Sequence, residues 1–260
     1  MKPLKEFHNP GVRFVFTDID DTLTDEGQLG PDAYSALWTL KKSGLHVVPI
    51  TGRPAGWCEM IARFWPVDGV VGENGGFYFR YIEKKMKRHF CFNDDVVANN
   101  RKRLDQLAKE ILKAVPRAQI ASDQFCRLMD LAVDFSEDVV PPLSKAEVDT
   151  IVSVFEKEGA TAKVSSIHVN GWFGDYNKLS MCKTFLKNEF QIDFDSSNRL
   201  CAFVGDSPND EPLFEAFENS FAVANVQPFL TWMKSQPQYV APSKGGAGFV
   251  EVAERLSPRI

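Results

Sequence analysis

Short apolar runs alternate with amphipathic segments along the first part of the chain. The β-rich runs Val12–Phe16 and His46–Thr51 are followed by segments with apolar residues at helical spacing, Pro31–Ser43 and Pro54–Phe64. Gly69–Gly72 is predicted as a third strand. Continuous apolar strands that alternate with helices are typical of a parallel sheet with helices on both faces.

The same alternation returns near the end of the chain. Lys178–Phe190 and Glu211–Glu218 are predicted helices, and Leu200–Gly205 and Ser220–Ala224 are predicted strands. The two parts together predict a doubly wound α/β domain that is split in sequence.

The middle of the chain combines a hairpin, two helices and two further strands. In chain order these are a hairpin of Phe77–Tyr81 with Met86–Phe92, a helix over Asn99–Val115, a strand over Arg127–Phe135, a helix over Ser144–Glu158 and a strand over Ala162–Phe173. Ser144 and Glu147 have the capping-box spacing that begins a helix. We therefore predict an inserted α+β layer.

Composition excludes several classes of protein. The 260 residues are 44% hydrophobic and 25% charged, which is ordinary for a globular protein. The formal net charge of −5 disfavours nucleic acid as a partner, and no apolar run reaches the roughly 18 residues of a membrane span. The oligomeric state is left open by these patterns.

Neither cysteines nor C-terminal glycines indicate a site. The five cysteines lie far apart without a C-x-x-C pair, so we expect reduced thiols in a cytoplasmic protein. Gly245, Gly246 and Gly248 do not follow a strand as a phosphate-binding loop does, and we interpret them as a loop without a nucleotide role.

Candidate chemistry lies at the carboxyl ends of the predicted strands, where open parallel sheets bind ligands. The first strand is followed by Asp18, Asp20 and Asp21, three carboxylates within four residues. Such groups repel one another unless a cation neutralises them, and Mg²⁺ takes carboxylate and carbonyl oxygens while keeping waters. The alternative is a solvated acidic turn.

Three further signals fall at the same edge of the sheet. Thr51 and Gly52 lead into a helix N-terminus, where backbone N–H groups favour phosphate. Gly205–Asp210 places two carboxylates and an amide at another strand-to-helix junction, and Lys178 begins a helix. Each has an ordinary alternative, respectively a helix cap, a capped turn and a surface lysine. Their joint position favours a site.

These signals resemble, in order, the motifs of the haloacid dehalogenase-like phosphohydrolase superfamily. The matching segments are Asp18-Ile19-Asp20-Asp21-Thr22-Leu23, Thr51, Lys178 and Gly205-Asp206-Ser207-Pro208-Asn209-Asp210. Gly72–Gly76 is also similar to the E-N-G stretch of the branch with Cof-like proteins, sucrose phosphatase, trehalose-6-phosphate phosphatase and phosphomannomutase. Asp21 departs from the pattern, because glycine is frequent at that position.

The resemblance implies a fold and an activity. It implies a Rossmann-like parallel-sheet core over residues 1–76 and 174–260 and an inserted α/β cap over 77–173. It also implies a Mg²⁺-dependent phosphatase that acts on a small phosphorylated metabolite, with a sugar phosphate as the expected substrate.

The resemblance further implies roles that the chemistry permits. Asp18 is the expected nucleophile and forms an aspartyl-phosphate, while Asp20 serves as acid and then base. Mg²⁺ is expected on Asp18, the Asp20 backbone carbonyl and Asp206, with Asn209 and Asp210 orienting these ligands.

The remaining roles concern phosphate and the leaving group. Thr51, Gly52 and Lys178 are expected to hold phosphoryl oxygens. Substrate candidates in the cap are Arg127 and, on one parity of a strand, His168, Asn170 and Trp172. The alternative is that Trp172 packs the cap against the core and that His168 is structural.

Three other functions stay open at this stage. A phosphoryl transferase of the phosphomutase kind resembles the same branch, and a sugar-phosphate sensor would use the same fold without catalysis. A signalling receiver also clusters aspartates with a threonine and a lysine, but in a different order and about half the length.

Overall fold

The computed structural model describes residues 1–165 and 167–257, in which strands and helices alternate. The strands are β1 (Lys2–Pro3), β2 (Phe14–Thr17), β3 (Thr24–Asp25), β4 (Gln28–Leu29), β5 (His46–Pro49), β6 (Val70–Gly72), β7 (Phe77–Ile82), β8 (Lys85–Phe90), β9 (Gln119–Ile120), β10 (Leu131–Asp134), β11 (Thr161–Val164), β12 (His168–Trp172), β13 (Cys201–Gly205), β14 (Asn219–Ala222) and β15 (Tyr239–Val240). The helices are α1 (Pro31–Lys42), α2 (Ala55–Phe64), α3 (Asp94–Ala114), α4 (Lys145–Lys157), α5 (Lys178–Phe190), α6 (Phe194–Ser197), α7 (Glu211–Ala216) and α8 (Gly245–Leu256).

Six strands from the two ends of the chain form one parallel sheet, in the order β1-β15-β14-β13-β2-β5. Alternate residues of β2 point to opposite faces: Val15 packs with α1, α2 and α8, whereas Phe14 and Phe16 pack with α5 and α7. Both faces are therefore covered, as the apolar strands require. This confirms the α/β fold class and the Rossmann-like parallel core.

The predicted hairpin is β7–β8, with Phe77 opposite Phe90. It pairs with β6 in a three-stranded antiparallel sheet, and Phe77, Tyr78 and Phe79 pack into the two cores of the parallel sheet. The domain division at residue 77 stays a prediction. The packing of the hairpin favours a division on its C-terminal side.

Strands β9 to β12 form an antiparallel sheet in the order β11-β12-β10-β9, and we call this sheet with α3 and α4 the second layer. One face packs on the helices, where Val133 and Val169 meet Leu107 and Phe155. The other face of β12 carries His168, Asn170 and Trp172, because alternate residues share a face.

The prediction of a single strand over Ala162–Phe173 is wrong. The segment contains two antiparallel strands, β11 and β12, with Val164 opposite Val169. Ser165 accepts backbone hydrogen bonds from Ile167 and His168 through its Oγ, which supports a tight reversal of the chain. Ser166 lies outside the described residues.

The interpretation of the C-terminal glycines as a loop is also wrong, because they form the first turns of α8. A Cβ on Gly245 would overlap the Asp25 side chain, and Asp25 accepts the N–H of Gly246 at 3.2 Å. The helix therefore needs glycine to approach the β3–β4 hairpin. Within the described ranges, no helix combines the length and the apolar character that a membrane crossing requires.

Candidate active site

Three buried carboxylates meet at the carboxyl edge of the parallel sheet. Asp18 follows β2, and Asp206 and Asp210 follow the neighbouring strand β13. One oxygen of each side chain lies within 4.8 Å of the other two. The structure therefore brings together carboxylates that are almost 190 positions apart in the chain.

The turn after β13 fixes how these groups face one another. Oδ1 of Asp210 accepts a hydrogen bond from Lys178 at 3.1 Å, and Oδ2 accepts the backbone N–H of Asp206 at 3.1 Å. Gly205 allows this contact, because a Cβ there would overlap the Asp210 carboxylate. Thr22 donates to Oδ1 of Asp206 at 3.2 Å and thereby joins the two loops.

Lys178 brings a buried cation to the cluster. Its Nζ lies 2.5 Å from Oδ1 of Asp18. Burial alone would lower the pKa of Lys178, but Asp18 and Asp210 raise it above its ordinary value. Burial raises the pKa of Asp18 to about 7 despite Lys178, and burial together with Asp210 raises the pKa of Asp206. The cluster therefore contains more acidic side chains than the single lysine can neutralise.

The side chain of Asp20 contacts Arg53, which lies just before α2. The Nε and Nη2 atoms of Arg53 donate to Oδ1 of Asp20 at 3.1 and 2.9 Å. The Arg53 guanidinium lies 4.7 Å from the centre of the Trp57 ring. Arg53 was not among the residues predicted for the site, although it follows Thr51 and Gly52 directly.

Thr51 and Gly52 lie at different depths. Thr51 is fully buried, and its Oγ1 accepts the backbone N–H of Arg53 at 2.9 Å. Gly52 lies on the surface of the cavity beside Asn74, whose side-chain atoms would be 3.3 Å from a Cβ at this position. Gly52 is thus the more accessible of the two.

A cavity of about 500 Å³ lies over the carboxylates, between the parallel sheet and the second layer. Asp18, Lys178 and Asp206 line it from below, together with Asn209 and Asp210. His168 and Asn170 line it from β12. All residues in this paragraph were predicted for the site, and the structure places them around one cavity.

Arg127 and Trp172 differ from the other substrate candidates. Arg127 reaches the cavity, but its guanidinium donates to the Gly52 carbonyl at 2.8 Å and to Asp130 at 3.1 Å. Trp172 is 2% exposed, stacks on Tyr176 and lies outside the cavity lining. Both side chains thus join the second layer to the core, which for Trp172 is the alternative considered from the sequence.

Comparison with known proteins finds similar sequences. Residues 15–116 match a sequence profile described as haloacid dehalogenase-like hydrolase. A phosphoglycolate phosphatase from Methanobrevibacter smithii is 27% identical over 249 residues, covering 93% of this chain and 97% of the relative. Another from Methanospirillum hungatei is 28% identical over 252 residues, covering 96% and 98%. Over the matched residues the chain is similar to the haloacid dehalogenase-like hydrolases. It is a phosphatase.

Solved structures share the fold of this phosphatase. A protein from Thermoplasma acidophilum superposes with a TM-score of 0.74 at 18% identity, covering 94% of this chain and 98% of the other. The sucrose-phosphatase from Synechocystis, solved with sucrose and phosphate, gives a TM-score of 0.63 at 15% identity and covers 94% and 97%. The similarity extends over both the parallel sheet and the second layer.

Glu73 connects two segments near the site, and the sequence did not predict this connection. Its fully buried carboxylate accepts the backbone N–H of Ala55 at 2.9 Å and those of Leu128, Met129 and Asp130 at 3.0, 2.5 and 3.1 Å. It thereby joins the start of α2 to the loop before β10. The only signal in sequence was its place in the E-N-G stretch.

Sequence reasoning also did not predict the residues that form one wall of the cavity. Asn225, Phe229 and Lys244 line it from the loops after β14 and before α8. These residues follow no motif, so only the folded chain shows them near the carboxylates.

Proposed function

We propose that this phosphatase hydrolyses phosphate monoesters with Mg²⁺ through an aspartyl-phosphate on Asp18. The observation that carries the proposal is the arrangement of Asp18, Lys178, Asp206 and Asp210 at the floor of one cavity. A nucleophile, a cation and spare carboxylates within hydrogen-bond reach are what phosphoryl transfer requires.

The donor set fits a divalent cation. Asp18 and Asp206 are buried carboxylates whose pKa values are raised first by burial and further by the charge of Asp210. We propose that Asp18, the Asp20 carbonyl and Asp206 hold Mg²⁺, since oxygen ligands suit this ion. Both oxygens of Asp210 already accept hydrogen bonds, which supports an orienting role for it. When bound, the ion offsets charge on the phosphoryl oxygens.

The first step transfers the phosphoryl group to Asp18. A carboxylate oxygen of Asp18 forms a bond to phosphorus while the bond from phosphorus to the ester oxygen breaks. Lys178 reduces the repulsion between Asp18 and the anionic ester, and the backbone of Gly52 is placed to contact phosphoryl oxygens. Oγ1 of Thr51 stabilises this loop by accepting the backbone N–H of Arg53.

Asp20 moves the protons. We propose that protonated Asp20 donates its proton to the leaving alkoxide oxygen, and that the resulting carboxylate then accepts a proton from the water that attacks the aspartyl-phosphate. Phosphate leaves, and both aspartates return to their starting forms. The contact with Arg53 supports a fixed position for the Asp20 side chain.

A sugar phosphate remains the proposed substrate. The cavity of about 500 Å³ leaves room beyond the phosphate, and His168 and Asn170 offer hydrogen bonds to hydroxyl groups. Phosphoglycolate is the second candidate, because the relatives at 27% and 28% identity are named phosphoglycolate phosphatases. The cytoplasmic location and the cap formed by the second layer are parts of the same proposal.

The proposal is tested by Asp18→Asn, which removes the nucleophilic charge with almost no change in volume. We expect phosphate release from sugar phosphates and phosphoglycolate to fall by about 10³-fold or more. Mass spectrometry of acid-quenched wild-type protein should find one phosphate on the peptide with Asp18. The exposed Asp195→Asn should leave both readouts unchanged. Wild-type turnover by Asp18→Asn would refute the assignment, and an isomerised product would indicate a phosphoryl transferase.

A further inference from the structure

Glu137 is a residue of the second layer that reaches the catalytic loops. It lies in the loop after β10, and this loop is built around the buried Asp134. The carboxylate of Asp134 accepts the backbone N–H groups of Ser136, Glu137 and Asp138 at 2.8, 2.8 and 2.7 Å. These hydrogen bonds hold the backbone on both sides of Glu137.

The carboxylate of Glu137 lies between two nitrogen-bearing side chains. Its Oε1 accepts a hydrogen bond from Nη1 of Arg53 at 3.0 Å, and its Oε2 lies 2.9 Å from Nε2 of His168. His168 and Arg53 lower the pKa of Glu137 to about 2, against partial burial. The carboxylate is therefore ionised at neutral pH.

Arg53 uses its two edges for two carboxylates. Nη1 faces Glu137, while Nε and Nη2 face Asp20. The guanidinium is planar and rigid, so fixing one edge fixes the direction of the other. The side chain of Arg53 is only 9% exposed, and Trp57 lies against its face. Glu137 thus constrains the orientation in which Arg53 meets Asp20.

We propose that Glu137 is a positioning residue for the reaction: through Arg53 it holds Asp20 in the place from which Asp20 exchanges protons, and it does so across the boundary between the second layer and the parallel sheet. The inference rests on the proposed role of Asp20 as acid and base. It makes proton transfer depend on the second layer lying over the sheet, because Glu137 and Arg53 belong to different layers.

The leaving group of the substrate distinguishes a positioning role of Glu137 from a merely structural one. An alkoxide is a strong base and needs the proton from Asp20 as it leaves, whereas nitrophenolate is a weak base and leaves without it. Loss of positioning at Asp20 should therefore slow phosphoryl transfer from alkyl phosphates selectively. Hydrolysis of the aspartyl-phosphate is the same for both substrate types and follows release of the leaving group, so it does not enter kcat/KM. A general loss of structure would slow both substrate types alike.

The experiment compares Glu137→Ala with wild type on 2-phosphoglycolate, glycerol 2-phosphate and p-nitrophenyl phosphate at saturating Mg²⁺. We expect kcat/KM on the alkyl phosphates to fall by about 10-fold, a part of the roughly 10²–10⁴-fold that general acids supply. On p-nitrophenyl phosphate kcat/KM should fall by less than about 2-fold. Asp138→Asn, which removes the neighbouring charge in the same loop, should match wild type.

Two further variants keep the result decisive. Arg53→Ala should remove the effect of Glu137→Ala, so that the double variant equals Arg53→Ala alone. If Glu137→Ala does not fold, Glu137→Gln keeps an acceptor oxygen for Arg53, and a selective loss smaller than 10-fold but measurable is expected.

Equal losses of kcat/KM on aryl and alkyl phosphates, additive effects of Arg53→Ala and Glu137→Ala, or unchanged kinetics in both Glu137 variants would overturn the inference. Asp20→Asn separates this from the proposed function. If Asp20→Asn shows no selective loss on alkyl phosphates, the role of Asp20 itself is wrong. If it does and Glu137→Ala does not, only the positioning role is wrong.

Discussion

At the scale of single residues, the site depends on how buried charges compensate one another. Lys178 lies between Asp18 and Asp210, at 2.5 and 3.1 Å, and all three side chains are buried. A lysine in such a place is held by its partners, because removing one member of a buried pair leaves a charge without compensation. Its position as the first residue of α5 is therefore a requirement of the site.

We expect Lys178→Met to lower kcat by about 10²–10³-fold, the range seen when one group that stabilises developing charge is removed. The matched control is Lys183→Met in the same helix, where the lysine is half-buried and pairs with the exposed Asp195. Steady-state phosphate release measures both. An activity of Lys178→Met within about 2-fold of Lys183→Met would contradict the role of Lys178.

The sequence predicts those site residues whose position follows from a strand end. Asp18, Asp206 and Asp210 come directly after buried apolar strands, so the edge at which they meet follows from the sheet. Arg53 and Glu137 are 84 positions apart, and their contact depends on how the second layer lies on the core. No local pattern encodes that orientation, and sequence reasoning therefore missed it.

At the scale of elements, the contact between the E-N-G turn and α5 sets the position of Lys178. Gly75 has φ +105°, and a Cβ there would overlap the backbone of Asn177 and Lys178. The turn also carries Glu73, which holds the loop before β10. One short turn thus positions the start of α5 and a loop of the second layer.

We expect Gly75→Ala to lower the free energy of unfolding by about 2–4 kcal/mol, because it adds backbone strain and a clash with main-chain atoms. Gly159→Ala is the control for strain alone: its φ is +74° with no atom near the added Cβ, and about 1 kcal/mol is expected. Urea unfolding measures both. Equal losses would show that the contact with α5 is unimportant for stability.

Helices and strands were predictable where a single local sequence signal determines them. α5 occupies Lys178–Phe190 as the spacing predicts, and the Ser144–Glu147 capping box begins α4. The segment Ala162–Phe173, predicted as one strand, is a hairpin of two strands. The prediction failed because the polar residues at the reversal do not interrupt the alternation of apolar and polar positions. α8 was missed because its glycines have low helix propensity, and packing against the β3–β4 hairpin decides its structure instead.

At the scale of the whole molecule, the acidic cluster lowers the stability of the metal-free chain. The folded protein raises the pKa of Asp18 from 3.8 to about 7, and that of Asp206 also rises. Between these pH values the folded chain keeps protons that the unfolded chain has released. By linkage, stability that is fully present below about pH 4 is lost as the pH rises through 7.

We therefore expect Mg²⁺ to raise the Tm more at pH 8 than at pH 5, because the ion binds ionised carboxylates that otherwise repel one another. At a hundredfold excess over Kd the gain is about 2.7 kcal/mol, or roughly 5–10 °C in Tm for a chain of this size. Asp206→Asn should raise the metal-free Tm at pH 8 and abolish the response to Mg²⁺. Thermal unfolding with and without Mg²⁺, at matched ionic strength, measures each effect. An equal rise at both pH values, or a full response in Asp206→Asn, would show that the ion binds elsewhere on the molecule.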